Sequence, residues 1–363
     1  GPSSAYSDDA RQLSEKLPAS YKTRKSADEP KVFFLTGATG FLGSYILNDL
    51  LKRTTTEKVY CHVRAKDQKS GLERLRQSGK VYGVWNEKLS SKIEVVLGDL
   101  SKAQFGLSSK EWTALADDID AIIHNGALVH WVYPYAQLRD ANVIGSLNVM
   151  SLCETGKAKN YSFVSSTSVL DTEHYFKLSD KLVLEGKEGI LESDDLEGSA
   201  TGLGTGYGQL KWAGEYLARE AGKRGLAGAV IRPGYVTGSS LNGCANTDDF
   251  LLRMLKGSLE IGSYPDISNT VNMVPVDHVA KVVVATALTP PVDATVEVAH
   301  VTGHPRGTLS EYLGSLSVYG YNVKKDTYEA WKNKLQAHIE AGKESALFPL
   351  LHMVLGDLPA DSR

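Results

Sequence analysis

Between Val32 and Arg53 the chain reads VFFLTGATGFLGSYILNDLLKR, and few folds accommodate that stretch. Four apolar residues, Val32 to Leu35, carry the signature of a fully buried strand. Gly37, Gly40 and Gly43 follow at three-residue spacing. From Leu42 onward apolar residues recur at helical period through Ile46, Leu47, Leu50 and Leu51. Strand, glycine turn and helix is the setting in which a dinucleotide's pyrophosphate is held. Gly37 permits the tight turn, Gly40 admits the phosphates to the backbone, and Gly43 lets the helix pack close to the strand. Thr36, Thr39, Phe41 and Leu42 complete the turn. The spacing is G-x-x-G-x-x-G rather than the simplest G-x-G-x-x-G fingerprint. Alone, it also suits a glycine-rich turn in a ligand-free α/β protein.

Downstream the chain alternates. Val59 to Val63, Ile93 to Leu97, Ala121 to His124, Tyr161 to Val164 and Ala229 to Ile231 read as strands. Helices are expected from about Leu138 to Glu154 and from Tyr207 to Ala221. This rhythm predicts an α/β fold, a Rossmann-type doubly wound parallel sheet. After residue 237 it loosens. Helical stretches near 248–256, 276–288, 308–318, 327–341 and 343–355 join short strands at 271–274 and 296–301. The expected division is a domain over 31–237 and a smaller, mainly helical substrate-binding subdomain over 238–363. Residues 171–206, charged and glycine-rich, read as a lid-like insertion or a surface loop. Gly1-Pro2-Ser3 reads as a cleavage scar. The helix suggested by Leu13, Leu17 and Tyr21 reads as a lead-in over 1–30 from an upstream domain.

A net charge of −3 and a pI near 6.3 argue against general binding to nucleic acid or an anionic membrane. No run of 18 apolar residues and no basic-apolar leader occurs, so a soluble, cytoplasmic protein is expected. Cys61, Cys153 and Cys244 are too few and too scattered for a disulfide frame or a metal cage.

Cofactor choice is read at the end of the second strand. Enzymes that use NAD place an acidic residue there, on the ribose 2′-hydroxyl. This chain has Arg64, with Lys66 and Arg74 close by. A guanidinium pairs with a 2′-phosphate, which predicts NADPH over NADH. Asp99 and Leu100, closing the third strand, are expected on the adenine side. Tyr207 and Lys211 lie four apart on an expected helix and share a face. A lysine ammonium beside a phenol is expected to lower the phenol's pKa, so that it exchanges a proton with a carbonyl oxygen. Thr167, after the fifth strand, supplies a second hydrogen bond to that oxygen.

Glycine turn, strand-end Ser/Thr and Y-x-x-x-K, in this order, resemble the extended short-chain dehydrogenase/reductase superfamily. Asn125-Gly126-Ala127 resembles its N-A-A segment, with Gly126 in place of alanine. Arg232-Pro233-Gly234-Tyr235-Val236 resembles the loop flanking the nicotinamide. Longer strings narrow the likeness: His124 to Tyr135, Val164 to Ser168, Asn246 to Arg253, Asn272 to His278 and Phe348 to Val354. They resemble the thioester reductase domains of adenylating multidomain enzymes, in particular those serving lysine biosynthesis. The resemblance implies an upstream adenylation domain and an upstream carrier domain bearing a phosphopantetheine arm. It implies that Thr167, Tyr207 and Lys211 serve NADPH-dependent reduction of a carrier-bound thioester, here L-2-aminoadipyl, to the free aldehyde. Three alternatives stay open: a free-standing extended reductase acting on a small ketone, alcohol or nucleotide sugar; the terminal reductase of a nonribosomal peptide synthetase; and a dinucleotide-sensing regulator. His130, Trp131, Tyr133 and Tyr135 are read either as channel lining or as core. His278 is read as structural. Lys324, Lys325, Lys332 and Lys334 are read either as a docking face for an acidic carrier or as a solvated surface.

Overall fold

The computed structural model describes residues 3–24, 28–126, 133–187, 189–237, 250–267, 270–271, 273–289, 296–302, 307–348 and 351. The first helix is α1 (Ala5–Ser14). The nucleotide half then runs β1 (Val32–Thr36), α2 (Phe41–Lys52), β2 (Lys58–His62), α3 (Gln68–Val81), β3 (Ile93–Val96), α4 (Ser109–Asp118) and β4 (Ala121–His124). Next come α5 (Tyr135–Arg139), a π turn (Asp140–Ile144), α6 (Gly145–Met150) and β5 (Asn160–Val164). They are followed by α7 (Glu173–Leu184), α8 (Gly206–Lys223), β6 (Gly228–Pro233) and β7 (Tyr235–Thr237). The remainder is α9 (Phe250–Ile261), β8 (Ser263–Pro265), β9 (Thr270–Val271), β10 (Met273–Pro275), α10 (Val276–Leu288), β11 (Val296–Val301), β12 (Gly307–Thr308), α11 (Leu309–Val318), β13 (Lys324–Asp326) and α12 (Tyr328–Glu340).

Seven strands form one parallel sheet in the order β11-β6-β5-β4-β1-β2-β3. Both faces are covered, which is why its strands are apolar almost throughout rather than alternating. Phe34, Phe163 and Tyr161 face a core built with Leu13, Trp112, Met150 and Trp212. Phe33, Leu35 and Ile123 face the opposite core, with Ile46, Leu50, Val279 and Val283. Strand order reverses between β1 and β4, so the loops after them open a crevice at the carboxyl edge. Register pairs Thr36 with His124 at that edge.

Three expectations change. The unit expected over 238–363 is not contiguous in space: α10 packs in the core beside α2, and β11 is the seventh strand, paired with β6. A separate cluster, with Leu251, Met254, Leu313, Trp331 and Leu335 at its centre, forms the smaller unit. Within 171–206, α7 is a regular helix, and the segment after it is fastened: Trp212 Nε1 donates to the Leu196 carbonyl at 3.0 Å, and Tyr175 Oη donates to Asp194 at 2.5 Å. Of the helix expected at 343–355, residues 343–347 are irregular or turn. The helix α1 is integral to the domain. Tyr6 is 1% exposed and meets Trp212 edge-on at 5.7 Å, and its hydroxyl donates to the Ser199 carbonyl at 2.6 Å. Among the described residues no helix is long and apolar enough to cross a membrane.

Candidate active site

The glycine turn sits where β1 meets α2. Gly37 has φ +70°, and a Cβ there would lie 2.9 Å from the Asn125 carbonyl. Handedness and crowding both require glycine. At Gly43 a Cβ would fall 1.7 Å from the Gly37 carbonyl oxygen, so the helix rests on the turn itself rather than on the strand. At Gly40 the nearest such contact is ordinary, 3.5 Å to the same oxygen, and the residue is exposed. Gly40 precedes α2 without a side-chain cap. The first-turn N–H groups of Phe41, Leu42 and Gly43 are thus uncapped at an open glycine, an arrangement that fits an anionic diphosphate. Thr39 is half-buried beside them.

Behind the turn runs a buried hydrogen-bond chain with one proton order. Gly126 N–H donates to Thr36 Oγ1 at 2.8 Å, and Thr36 Oγ1 lies 2.6 Å from His124 Nδ1. Ser146 Oγ donates to the Asn142 carbonyl at 2.7 Å and accepts from His124 Nε2 at 3.1 Å. Burial holds the His124 pKa down at about 3, so the ring is neutral near pH 7; with Nε2–H given to Ser146, Nδ1 accepts the Thr36 hydroxyl proton. Asn125 Nδ2 adds a bond to the Gly37 carbonyl at 3.4 Å. The chain also explains Gly126: a Cβ there would press on Thr36 Oγ1 at 3.0 Å.

At the far end of the crevice Arg64 is exposed just beyond β2, and the Arg74 guanidinium donates to the Arg64 carbonyl. Two arginines are thereby gathered in one place. Asp99 accepts from Ser101 N–H at 2.9 Å and Ser101 Oγ at 2.7 Å, which holds its carboxyl below the usual range. One of its oxygens is thus committed to a turn. Asn148 Nδ2 fixes the Leu100 carbonyl at 2.7 Å.

The proton-transfer groups meet where β5 ends against α8. Lys211 Nζ donates to the Val164 carbonyl at 2.8 Å and lies 5.7 Å from the centre of the Tyr207 ring. Ser166 is the hydrogen-bonding neighbour of the Tyr207 hydroxyl. Thr167 opens the 3-10 turn Thr167–Leu170 and stays half-buried. Two expectations about charge are revised here. Burial raises the Tyr207 pKa, with Ser166 partly offsetting it, and burial lowers Lys211 to about 8. Without a cofactor, desolvation outweighs the attraction between phenolate and ammonium.

One helical turn further, Glu215 continues the Tyr207–Lys211 face. It is fully buried, accepts from Ser165 Oγ at 2.9 Å, and is paired with the buried Arg232 guanidinium. Arg232 also donates to His300 Nε2 at 3.0 Å. This pair ties β5, β6, β11 and α8 together below the Pro233–Gly234 loop, where Gly234 N–H donates to the Val301 carbonyl at 2.8 Å. The i+4 spacing from Lys211 to Glu215 is the sequence signal that could have found it. Tyr235 turns the other way, its hydroxyl accepting from Leu251 N–H at 3.0 Å at the start of α9; Val236 lies beside it in β7, paired with Val274. Tyr135 is engaged in the fold, donating to Asp9 at 2.5 Å. His278 is exposed. Lys325, Lys332 and Lys334 each have an acidic neighbour. Ala127, His130, Trp131, Cys244, residues 246–249 and Asn272 lie outside the described residues.

The model of the NAD-binding family described as male sterility protein matches residues 35–283. The chain belongs to this family, an oxidoreductase branch of the extended short-chain dehydrogenase/reductases that binds a nicotinamide dinucleotide. It is 60% identical over 370 residues to L-2-aminoadipate reductase of Saccharomyces cerevisiae, covering 99% of this chain and 27% of that protein. It is 54% identical to the L-2-aminoadipate reductase large subunit of Penicillium chrysogenum, covering 100% of this chain and 26% of that protein. The chain thus spans about a quarter of the length of these curated relatives. Among solved structures, the terminal R domain from the myxalamid PKS-NRPS biosynthetic pathway superposes with a TM-score of 0.85 at 33% identity, over 97% of this chain and 87% of that one.

Proposed function

We propose that this chain is the NADPH-dependent reductase domain that converts a carrier-bound L-2-aminoadipyl thioester to L-2-aminoadipate 6-semialdehyde. The observation that carries the reading is the meeting of Thr167, Tyr207 and Lys211 at the same sheet edge as the open glycine cradle. The 60% identity to an L-2-aminoadipate reductase supports the choice of acyl group. Gly37, Thr39, Gly40 and the α2 N-terminus would hold the pyrophosphate, and Arg64 with Arg74 the 2′-phosphate. Bound there, NADPH supplies a hydride to the thioester carbonyl carbon. Thr167 and Tyr207 hydrogen-bond the carbonyl oxygen and stabilise the charge that develops on it. Lys211, adjacent to the Tyr207 ring, favours the phenolate form once its own charge is kept by a bound cofactor. The pantetheine thiol then leaves and the aldehyde is released, a two-electron reduction. In the whole protein, adenylation and carrier domains upstream would load and deliver the thioester.

The test follows NADPH absorbance with S-(L-2-aminoadipyl)pantetheine. Tyr207→Phe is expected to lower kcat/KM by about a hundredfold or more; an unchanged rate would overturn the assignment. Arg64→Ala is expected to weaken NADPH about tenfold while leaving NADH unaffected; equal effects on both cofactors would refute the arginine reading. The likeness to the myxalamid terminal R domain favours a second reading, a peptidyl thioester as substrate. A preference for peptidyl over aminoadipyl pantetheine would select it.

A further inference from the structure

Three consecutive residues at the end of β5 meet three residues of one face of α8. The Val164 carbonyl accepts from Lys211 Nζ at 2.8 Å, Ser165 Oγ donates to Glu215 at 2.9 Å, and Ser166 neighbours the Tyr207 hydroxyl. Ser165 N–H donates to the Ile231 carbonyl at 2.7 Å. That bond closes the β5–β6 ladder, since Pro233 has no N–H to continue it. Beyond it come the extended Ser166 and the turn Thr167–Leu170. Ser165 is therefore the last point at which the sheet holds the segment that carries Thr167. At 2% exposure it is too deep to touch a substrate itself. Glu215 and Arg232 are fully buried. Arg232 Nε lies 3.1 Å from both Glu215 oxygens, a second guanidinium nitrogen also donates to the carboxylate, and the third donates to His300 at 3.0 Å. A buried ion pair adds little to stability over well-packed apolar side chains of similar volume. Here the carboxylate's further hydrogen bond goes to the residue between the two that meet Lys211 and Tyr207.

We propose that Glu215, held by Arg232 and acting through the Ser165 hydroxyl, is a positioning residue that sets the Tyr207–Lys211 pair and the Thr167 turn against the thioester carbonyl. This rests on the thioester reductase reading. Helical pitch puts Tyr207, Lys211 and Glu215 along one face but leaves that face free to slide over the strand end. The bond from Ser165 to Glu215 joins side chain to side chain and admits one register. Packing transmits it: at Gly214 a Cβ would lie 2.6 Å from the Phe163 ring, so α8 rests directly on β5, and Lys211 Nζ stands 5.1 Å from the centre of that ring. A shift at Glu215 thus moves Lys211 one turn away and Tyr207 two turns away. Misplacing a reacting group by about 1 Å costs up to roughly a hundredfold in rate.

The experiment follows NADPH oxidation with S-(L-2-aminoadipyl)pantetheine, alongside NADPH dissociation constants and thermal melts. Ser165→Ala leaves Glu215 its Arg232 partner, so the fold is kept. It is expected to lower kcat about tenfold while the NADPH Kd stays within about twofold. Ser165→Cys, a weaker donor, should recover part of the loss. Glu215→Gln is expected to lower kcat by a similar factor, and the combined variant no further, because the two residues act as one unit. Tyr60→Phe is the stability control: it loses a 2.5 Å bond to Asp118 on β2, three strands from β5. It should lower the melting temperature and leave kcat within about twofold. An unchanged kcat in Ser165→Ala, additive losses in the combined variant, or an equal loss of kcat in Tyr60→Phe would each overturn the assignment. If Glu215→Gln does not melt cooperatively, the Ser165 variants and Tyr60→Phe decide alone. If wild type reduces the thioester and Ser165→Ala matches it, only the positioning role falls. If wild type does not reduce it, the reductase reading itself falls and takes this assignment with it.

Discussion

A methyl group at position 43 would lie 1.7 Å from the Gly37 carbonyl oxygen, and only a displacement of α2 relieves that. Gly43→Ala is therefore expected to cost ~3 kcal/mol and to abolish dinucleotide binding. Gly126→Ala meets the Thr36 side chain less closely, Oγ1 at 3.0 Å and Cβ at 3.2 Å, and is expected to cost ~1 kcal/mol. Urea midpoints and NADPH titration check both. His124 makes a pH prediction. Its folded pKa, about 3, lies below the ordinary 6.5 because burial disfavours the imidazolium. Its contribution is present in full above pH 6.5 and is lost as pH falls from 6.5 through 3. Urea midpoints measured across that window should fall less steeply for His124→Gln than for wild type. At this scale the glycines were legible in the sequence, since only a glycine-rich turn explains their spacing. The reason for Gly126 was not, because Thr36 and His124 are 88 residues apart and meet only through strand register.

At the scale of the element, α8 is the working part. Tyr207, Lys211 and Glu215 recur every four residues on the face turned to β5. Periodicity predicted the first pair. Periodicity does not say which buried cation a glutamate will find, and Arg232 comes from a strand on the other side of the helix's C-terminal turn. Glu215→Ala leaves that guanidinium buried without its carboxylate, and is expected to cost about 3–5 kcal/mol in urea unfolding. The helix α1 gives a second case. Its sequence is polar enough to read as a linker, yet Tyr6, Ala10 and Leu13 are buried on one face against α8. Tyr6→Phe removes the bond to the Ser199 carbonyl and should cost about 1 kcal/mol, measured the same way. Charged residues hid α7 similarly: its charges lie outside while Tyr175 is buried beneath.

At the scale of the whole molecule, the parallel sheet brings the glycine turn after β1 and the Thr167 turn after β5 to one carboxyl edge while the chain crosses back and forth behind it. The last crossing is the one that sequence order conceals. After the smaller unit begins, α10 and β11 return to complete the sheet and cover Ile46 and Leu50 of α2. A chain ending at residue 275 retains the glycine turn, Thr167, Tyr207 and Lys211, yet is expected to lack a cooperative thermal transition. That truncation uncovers Val279, Val283 and their neighbours' side of the core. A cooperative melt for residues 1–275 would show that the boundary read at 237 is a real one.

The amino-acid sequence by itself determined the alternating α/β order, the glycine cradle and the Tyr–Lys spacing, because these are local: each depends on periodicity, steric freedom or helical pitch within about twenty residues. Tertiary structure alone decided that His124 is neutral, that Glu215 pairs with Arg232, and that Tyr207 is pushed up rather than down. Those properties depend on desolvation and on what stands opposite, and neither is defined until distant segments of the chain enclose the same space.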